Sequence, residues 1–92
     1  MIVRIMTEGQ YDLPGAFIDE LNKIDNELVE VVAQENETEF ATLLKKMLDL
    51  VRENGTAVPD DEIVESDLML PEPDITLIEA EEVFTGEGIV PG

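Results

Sequence analysis

The sequence predicts an α+β domain: an antiparallel αα-hairpin packed on a few short β-strands, with a short C-terminal helix. Three observations carry that expectation. Apolar residues recur at helical spacing through two successive stretches of residues 14–54, joined by a short polar break. A β-branched run opens the chain, at residues 1–6. Prolines, glycines and capping residues divide everything after residue 55 into pieces too short for another long element. At 92 residues, a single domain spanning 1–92 is the natural count.

Met1–Met6 reads as a strand, Thr7-Glu8-Gly9 as a turn, and Gln10–Asp12 as a short return, making 1–12 a strand or hairpin unit. Asp12 followed by Pro14 resembles a helix start, with Asp as N-cap and Pro in the first turn. Phe17, Leu21, Ile24, Leu28 and Val31 then recur at steps of four and three, the average spacing of a packed seam. Ala16, Ile18, Val29 and Val32 widen that stripe, while Asp19, Lys23 and Glu27 follow one another at four-residue steps on the other side. Asn36 with Glu39 three residues later marks the next N-terminus. Phe40, Leu43, Leu44, Met47, Leu50 and Val51 form the second stripe, and Gly55 sits where a C-cap glycine belongs. Two helices so closely joined must pack antiparallel.

Residues 56–75 hold no sustained period and are punctuated by Pro59, Pro71 and Pro73. Short extended segments fit at Glu62–Val64 and Leu68–Leu70. Thr76 and Glu79 make a capping box that opens a short helix, 76–85, before Gly86 and Gly88 end it. Ile89 and Val90, in the terminal segment 86–92, are short and apolar enough to lie as a strand beside the first.

Composition excludes more than it assigns. There are 23 Asp plus Glu against 5 Lys plus Arg, a formal charge of −18, with no His, Cys or Trp. A Ser–His–Asp or Cys–His relay cannot be built, nor a zinc site of thiolates or imidazoles. Nucleic acid is disfavoured, because phosphate affinity comes from Lys and Arg releasing counterions. Anionic lipid meets the same repulsion, and the longest apolar runs are three residues, so no membrane insertion or targeting segment is expected. The expected location is the cytoplasm. High acidity alone would suggest disorder, but 43% hydrophobic residues is an ordinary share for a globular chain. The charge is also uneven. Residues 1–52 contain all five bases and eleven acids, net −6; residues 53–92 contain twelve acids and no base, net −12.

Carboxylates are the chemistry this composition offers. Asp60, Asp61 and Glu62, with Glu65 and Asp67 close by, are oxygen ligands of the type Ca²⁺ and Mg²⁺ take. The EF-hand spacing is absent, and three Phe and one Tyr give no platform for a sugar beside a carboxylate pair. These acids therefore read as a solvated face open to a partner, with no metal ligand, cofactor contact or catalytic residue assigned. Gly86, Gly88 and Gly92 lack the lysine and spacing of a phosphate loop and read as turn residues. Arg4, within an apolar strand, suits a structural ion pair or a partner contact. Ile18, Val29 and Leu48 are apolar positions beyond the two seams and could face a partner helix.

Four co-linear strings carry a resemblance: MIVRIMTEGQY at 1–11, GTAVPDDE at 55–62, SDLMLP at 66–71 and the closing GIVPG at 88–92. Together they resemble the small PspA-associated (PspAA) domain proteins over the full length. The resemblance implies an auxiliary factor of the phage-shock, or envelope-stress, system. Such factors are associated with PspA-type coiled-coil proteins of the ESCRT-III superfamily, which remodel and protect the membrane. It implies no catalytic activity and no cofactor, and brings no binding residues with it. The expectation is a non-catalytic interaction or regulatory module for a PspA-like partner, with self-association a second possibility. A divalent-cation-responsive domain using the 60–67 loop and an acidic nucleic-acid mimic are the alternatives, and a winged helix is the alternative fold.

Overall fold

Each described strand is short, of two to four residues. In the computed structural model, which describes residues 1–62 and 64–84 (Val83 by its backbone alone), β1 is Ile2–Ile5 and β2 is Gly9–Asp12. A 3₁₀ turn, Gly15–Phe17, leads into α1, Ile18–Ala33, and α2 follows at Glu37–Asn54. Then come β3, Thr56–Ala57, β4, Leu68–Leu70, and α3, Leu77–Val83. The expected strand at Ile89–Val90, the glycines at 86, 88 and 92 and the terminal segment lie outside the described residues.

The four strands run in the order β3-β2-β1-β4. β1 pairs antiparallel with β2, Val3 opposite Tyr11 and Arg4 opposite Gln10, and parallel with β4, Val3 opposite Leu68 and Arg4 opposite Met69. β3 pairs antiparallel with β2. Period-two alternation then assigns the faces. Val3, Ile5, Leu68 and Leu70 are buried in the common core with the helices, so Arg4, Gln10 and Met69 share the opposite, outer face.

That topology dictates the path of residues 58–62 and 64–67. β3 and β4 lie on opposite edges of the sheet and both run parallel to β1, so the chain between them must cross it. The helices occupy the inner face; the crossing uses the outer one. Gln10 ties it down, its Nε2 donating to the Val64 carbonyl (2.8 Å) and to Ser66 Oγ (2.7 Å). At its two ends, the Val58 amide donates to the Gln10 carbonyl (2.9 Å) and the Asp67 amide to the Ile2 carbonyl (2.8 Å). The acidic loop is thus a strap fastened to the sheet.

The helical layer follows the seam read from the sequence. α1 buries Leu21, Ile24, Leu28, Val31 and Val32; α2 buries Phe40, Leu44, Met47, Leu50 and Val51. α1 ends in a Schellman motif: the Asn36 amide donates to the Val31 carbonyl and the Glu35 amide to the Val32 carbonyl, both at 3.0 Å. This places Glu35 at φ +56°, the left-handed conformation usually given to glycine. Asn36 then caps α2, its Oδ1 accepting from the Glu39 amide at 3.2 Å. The three-residue turn holds the helices as an antiparallel hairpin, not a winged-helix arrangement. Thr76 and Glu79 form the reciprocal capping box of α3, and the Phe84 ring meets that of Phe40 edge-on at 6.4 Å.

Two local expectations are corrected, at Asp12 and Leu48. Asp12 does not cap α1; it is the last residue of β2, paired with Ile2, and the helix begins only at Ile18. Gly55 is the C-cap of α2 as expected, its amide donating to the Val51 carbonyl at 2.8 Å, in an extended conformation (φ −86°, ψ 156°). It is needed for space: a Cβ there would stand 2.6 Å from the Val51 carbonyl and 3.0 Å from the Tyr11 Cβ, where α2 passes the sheet. Leu48 is 1% exposed and belongs to the core, not to a partner-facing surface. The core around α2 takes in the strands and Phe84 as well as α1, so its buried arc is wider than a single seam. Asp25, within the α1 stripe, is fully buried, and no buried polar side-chain atom among the described residues lacks a hydrogen-bond partner.

Candidate interaction surface

The residues singled out in the sequence part into two places. Arg4 and the acids of the strap gather on the outer side of the sheet. Ile18 and Val29 remain on the helical layer, half-buried, with Val29 packed against the core.

Three strands build the outer side. Arg4 stands in the middle, with Gln10 across on β2 and Met69 across on β4. Met6 continues the same alternation past the end of β1, its amide donating to the Leu70 carbonyl at 3.1 Å. Arg4 is exposed and makes no ion pair among the described residues, so the expected structural pair does not form there. The strap runs alongside, with Asp60, Asp61, Glu62 and Glu65 all exposed. Asp67 acts within the fold instead. Its Oδ2 accepts from the Ile2 amide at 2.8 Å, fixing the start of β4 against β1.

The strap carboxylates do not converge. Among the described residues no three carboxylates gather in a way that could hold a metal ion. The arrangement offers a broad negative field with a local apolar centre. Met6 and Met69 are 43% and 55% exposed. Neither methionine stands out in the sequence, where each merges into a short segment rich in apolar residues, at 1–6 and 68–70. The available signal was the two-residue period: Met69 lies between two inward leucines and must point outward once β4 joins a sheet.

Two other features complete the surface. A groove of about 590 Å³ runs between α2 and the 73–77 segment, floored by Phe40, Leu44 and Leu48 and edged by Glu37 and Lys45. Ile78, 78% exposed, stands at the start of α3. At one end of α2, Arg52 reaches the β1–β2 turn, donating from Nε to Glu8 Oε1 at 2.9 Å and from Nη2 to Glu8 Oε2. Its Nη1 donates to Asp49 Oδ1 at 3.1 Å. The Glu8 hydrogen bonds hold the guanidinium above its ordinary range against some desolvation, with Asp49 adding to the effect. No helix among the described residues is long and apolar enough to cross a membrane.

A family model described as PspA-Associated protein matches residues 1–92. No curated protein and no solved structure matches the chain. Full-length agreement with that model, on an α+β framework of helical hairpin and small sheet, shows that the chain belongs to the PspA-associated family and has a PspA-related role in the phage-shock system.

Proposed function

We propose that this chain is a non-catalytic, cytoplasmic interaction module that binds a PspA-like coiled-coil protein. The match of the whole chain to the PspA-associated family carries the reading. Physical chemistry supports the same direction. Without His or Cys the chain has few means of nucleophilic or general-base catalysis near neutral pH. A formal charge of −18 favours a basic partner, speeds encounter with it, and keeps the domain off anionic lipid. In this reading the module reaches the membrane through its partner.

The test is direct. Purified chain is titrated into the PspA-like protein of the same genome, from low to physiological salt. Binding that weakens as salt rises is expected, since charge steering is screened over about 8–10 Å at these ionic strengths. Absence of binding at every salt would end the proposal. Anionic vesicles alone should not retain the chain, and vesicles carrying the partner should.

A further inference from the structure

Single exposed apolar residues are ordinary on a protein surface. Met6 and Met69 are not scattered: they flank Arg4 on one sheet face, beside the strap that crosses β2. Building on the reading that the chain binds a protein, we propose that the Met6–Arg4–Met69 face docks a basic amphipathic helix.

Size, adaptability and charge lead to that occupant. Strands about 4.8 Å apart make a four-stranded sheet only about 14 Å from first to last strand. The strap crosses this face, tied to Gln10 on β2 and to Ile2 on β1, and leaves Arg4, Met6 and Met69 exposed. What is left admits one helix, about 10 Å across, but not a second sheet. Methionines are unbranched and polarizable, and mould themselves to an incoming apolar stripe. The charge on this side is one-sided. Exposed Asp60, Asp61, Glu62 and Glu65 line the strap, exposed Asp12 lies on β2, and residues 53–92 contain no base. Lys23, Lys45, Lys46 and Arg52 all sit on α1 and α2, in the layer behind the sheet. A second copy of this chain would bring the same carboxylates against these and be repelled. Arg4, the one base of the face, would meet an acidic residue of the helix and set its register.

The probe is an 18-residue peptide of Lys and Leu in amphipathic order, with a Glu/Leu peptide of the same apolar pattern as its counterpart. The chain should bind the first and not the second. The double variant Met6→Ser/Met69→Ser removes apolar surface at constant charge and should weaken binding by about tenfold or more. The triple variant Asp60→Asn/Asp61→Asn/Glu62→Gln should weaken it similarly and flatten its salt dependence. Glu27→Gln/Glu30→Gln/Glu39→Gln removes the same charge from the helical layer and should leave affinity within about twofold, because those positions lie behind the sheet. Circular dichroism confirms that each variant is folded.

The proposal is overturned if the methionine variant binds like wild type, or if the two triple variants weaken binding equally, since bulk charge then suffices. It is also overturned if the wild type sediments as a dimer that the methionine substitutions dissociate. Titration with the PspA-like protein separates this inference from the partner reading. Equal binding of that protein by wild type and methionine variant removes the docking face and keeps the partner. Peptide docking as described, with no binding of that protein, keeps the face and removes the partner.

Discussion

The helical hairpin and the sheet with its strap differ in where their structure is specified. The two helix ends at the hairpin turn are set by residues within one turn of them: Val31, Val32, Glu35 and Asn36 close α1, and Asn36 with Glu39 opens α2. The outer layer is held by pairs far apart in sequence, such as Ile2 with Asp67 and Gln10 with Val64 and Ser66. The layers differ in charge as well. Four of the five bases lie on α1 and α2; the outer layer has Arg4 alone amid the strap acids. The locally encoded layer supplies framework and most of the core. The layer assembled by long-range pairing presents the surface a partner can read.

The sharpest test of this division asks which apolar residues of α2 are framework. Leu48→Ala should cost about 2–5 kcal/mol, the range for emptying a core leucine site, against a total of about 5–14 kcal/mol for a domain of this length. Val29→Ala, at a half-buried position, should cost markedly less. Urea denaturation of both variants checks the order. Were Leu48→Ala the milder change, Leu48 would return to the partner-facing surface. Gly55→Ala tests the junction between the layers. Its Cβ would meet the Val51 carbonyl and the Tyr11 side chain, so α2 and β2 must separate slightly, at about 1–3 kcal/mol.

The same contrast accounts for what the sequence disclosed. Helical periodicity, the Asn36 cap and the Thr76–Glu79 box are local signals, and each corresponds to an observed element. The pairing of β4 with β1, and the strap it requires, left no local trace, because strand partners depend on how the whole chain folds back. Periodicity misplaces Leu48 because a seam pattern describes a helix with one neighbour, whereas the core around α2 also takes in the strands and Phe84. It misplaces Asp12 because a strand pair recruits a residue that is also a good helix cap. For the candidate surface, Arg4 and the acids were visible by type. Their placement with Met6 and Met69 was not, since it depends on register.

Backbone strain gives a smaller test, one in each layer. Thr7, at the tip of the β1–β2 turn, has φ +76°, and Glu35, in the hairpin turn, has φ +56°. A β-branched residue suits the left-handed region worse than an unbranched one. Thr7→Gly should therefore stabilise by about 1–2 kcal/mol and Glu35→Gly by about 1 kcal/mol. Thermal melts check both the sign and the order. If neither variant is stabilised, the turns do not hold these residues in the left-handed region.

The smallest effect concerns the link between the layers at Arg52. Its guanidinium is fixed to Glu8 through two nitrogens and to Asp49 through the third, and is about 30% exposed, so solvent screens part of the attraction. Arg52→Met should cost about 0.5–1 kcal/mol. Arg52→Lys should recover little of this, because an ammonium keeps the charge but cannot match the two-nitrogen contact with Glu8. The pH dependence has a definite sign. Glu8 raises the folded-state pKa of Arg52, so its contribution is complete below the unfolded value and is lost only as pH rises through the folded one, in strong alkali. The gap in urea midpoint between wild type and Arg52→Met should thus stay constant from about pH 7 to pH 10, provided no other group at the pair titrates. It should narrow in molar salt, where screening reaches about 3 Å. A gap unchanged by salt would mean that Arg52 joins the layers by packing its stem, and the electrostatic account of this junction would fall.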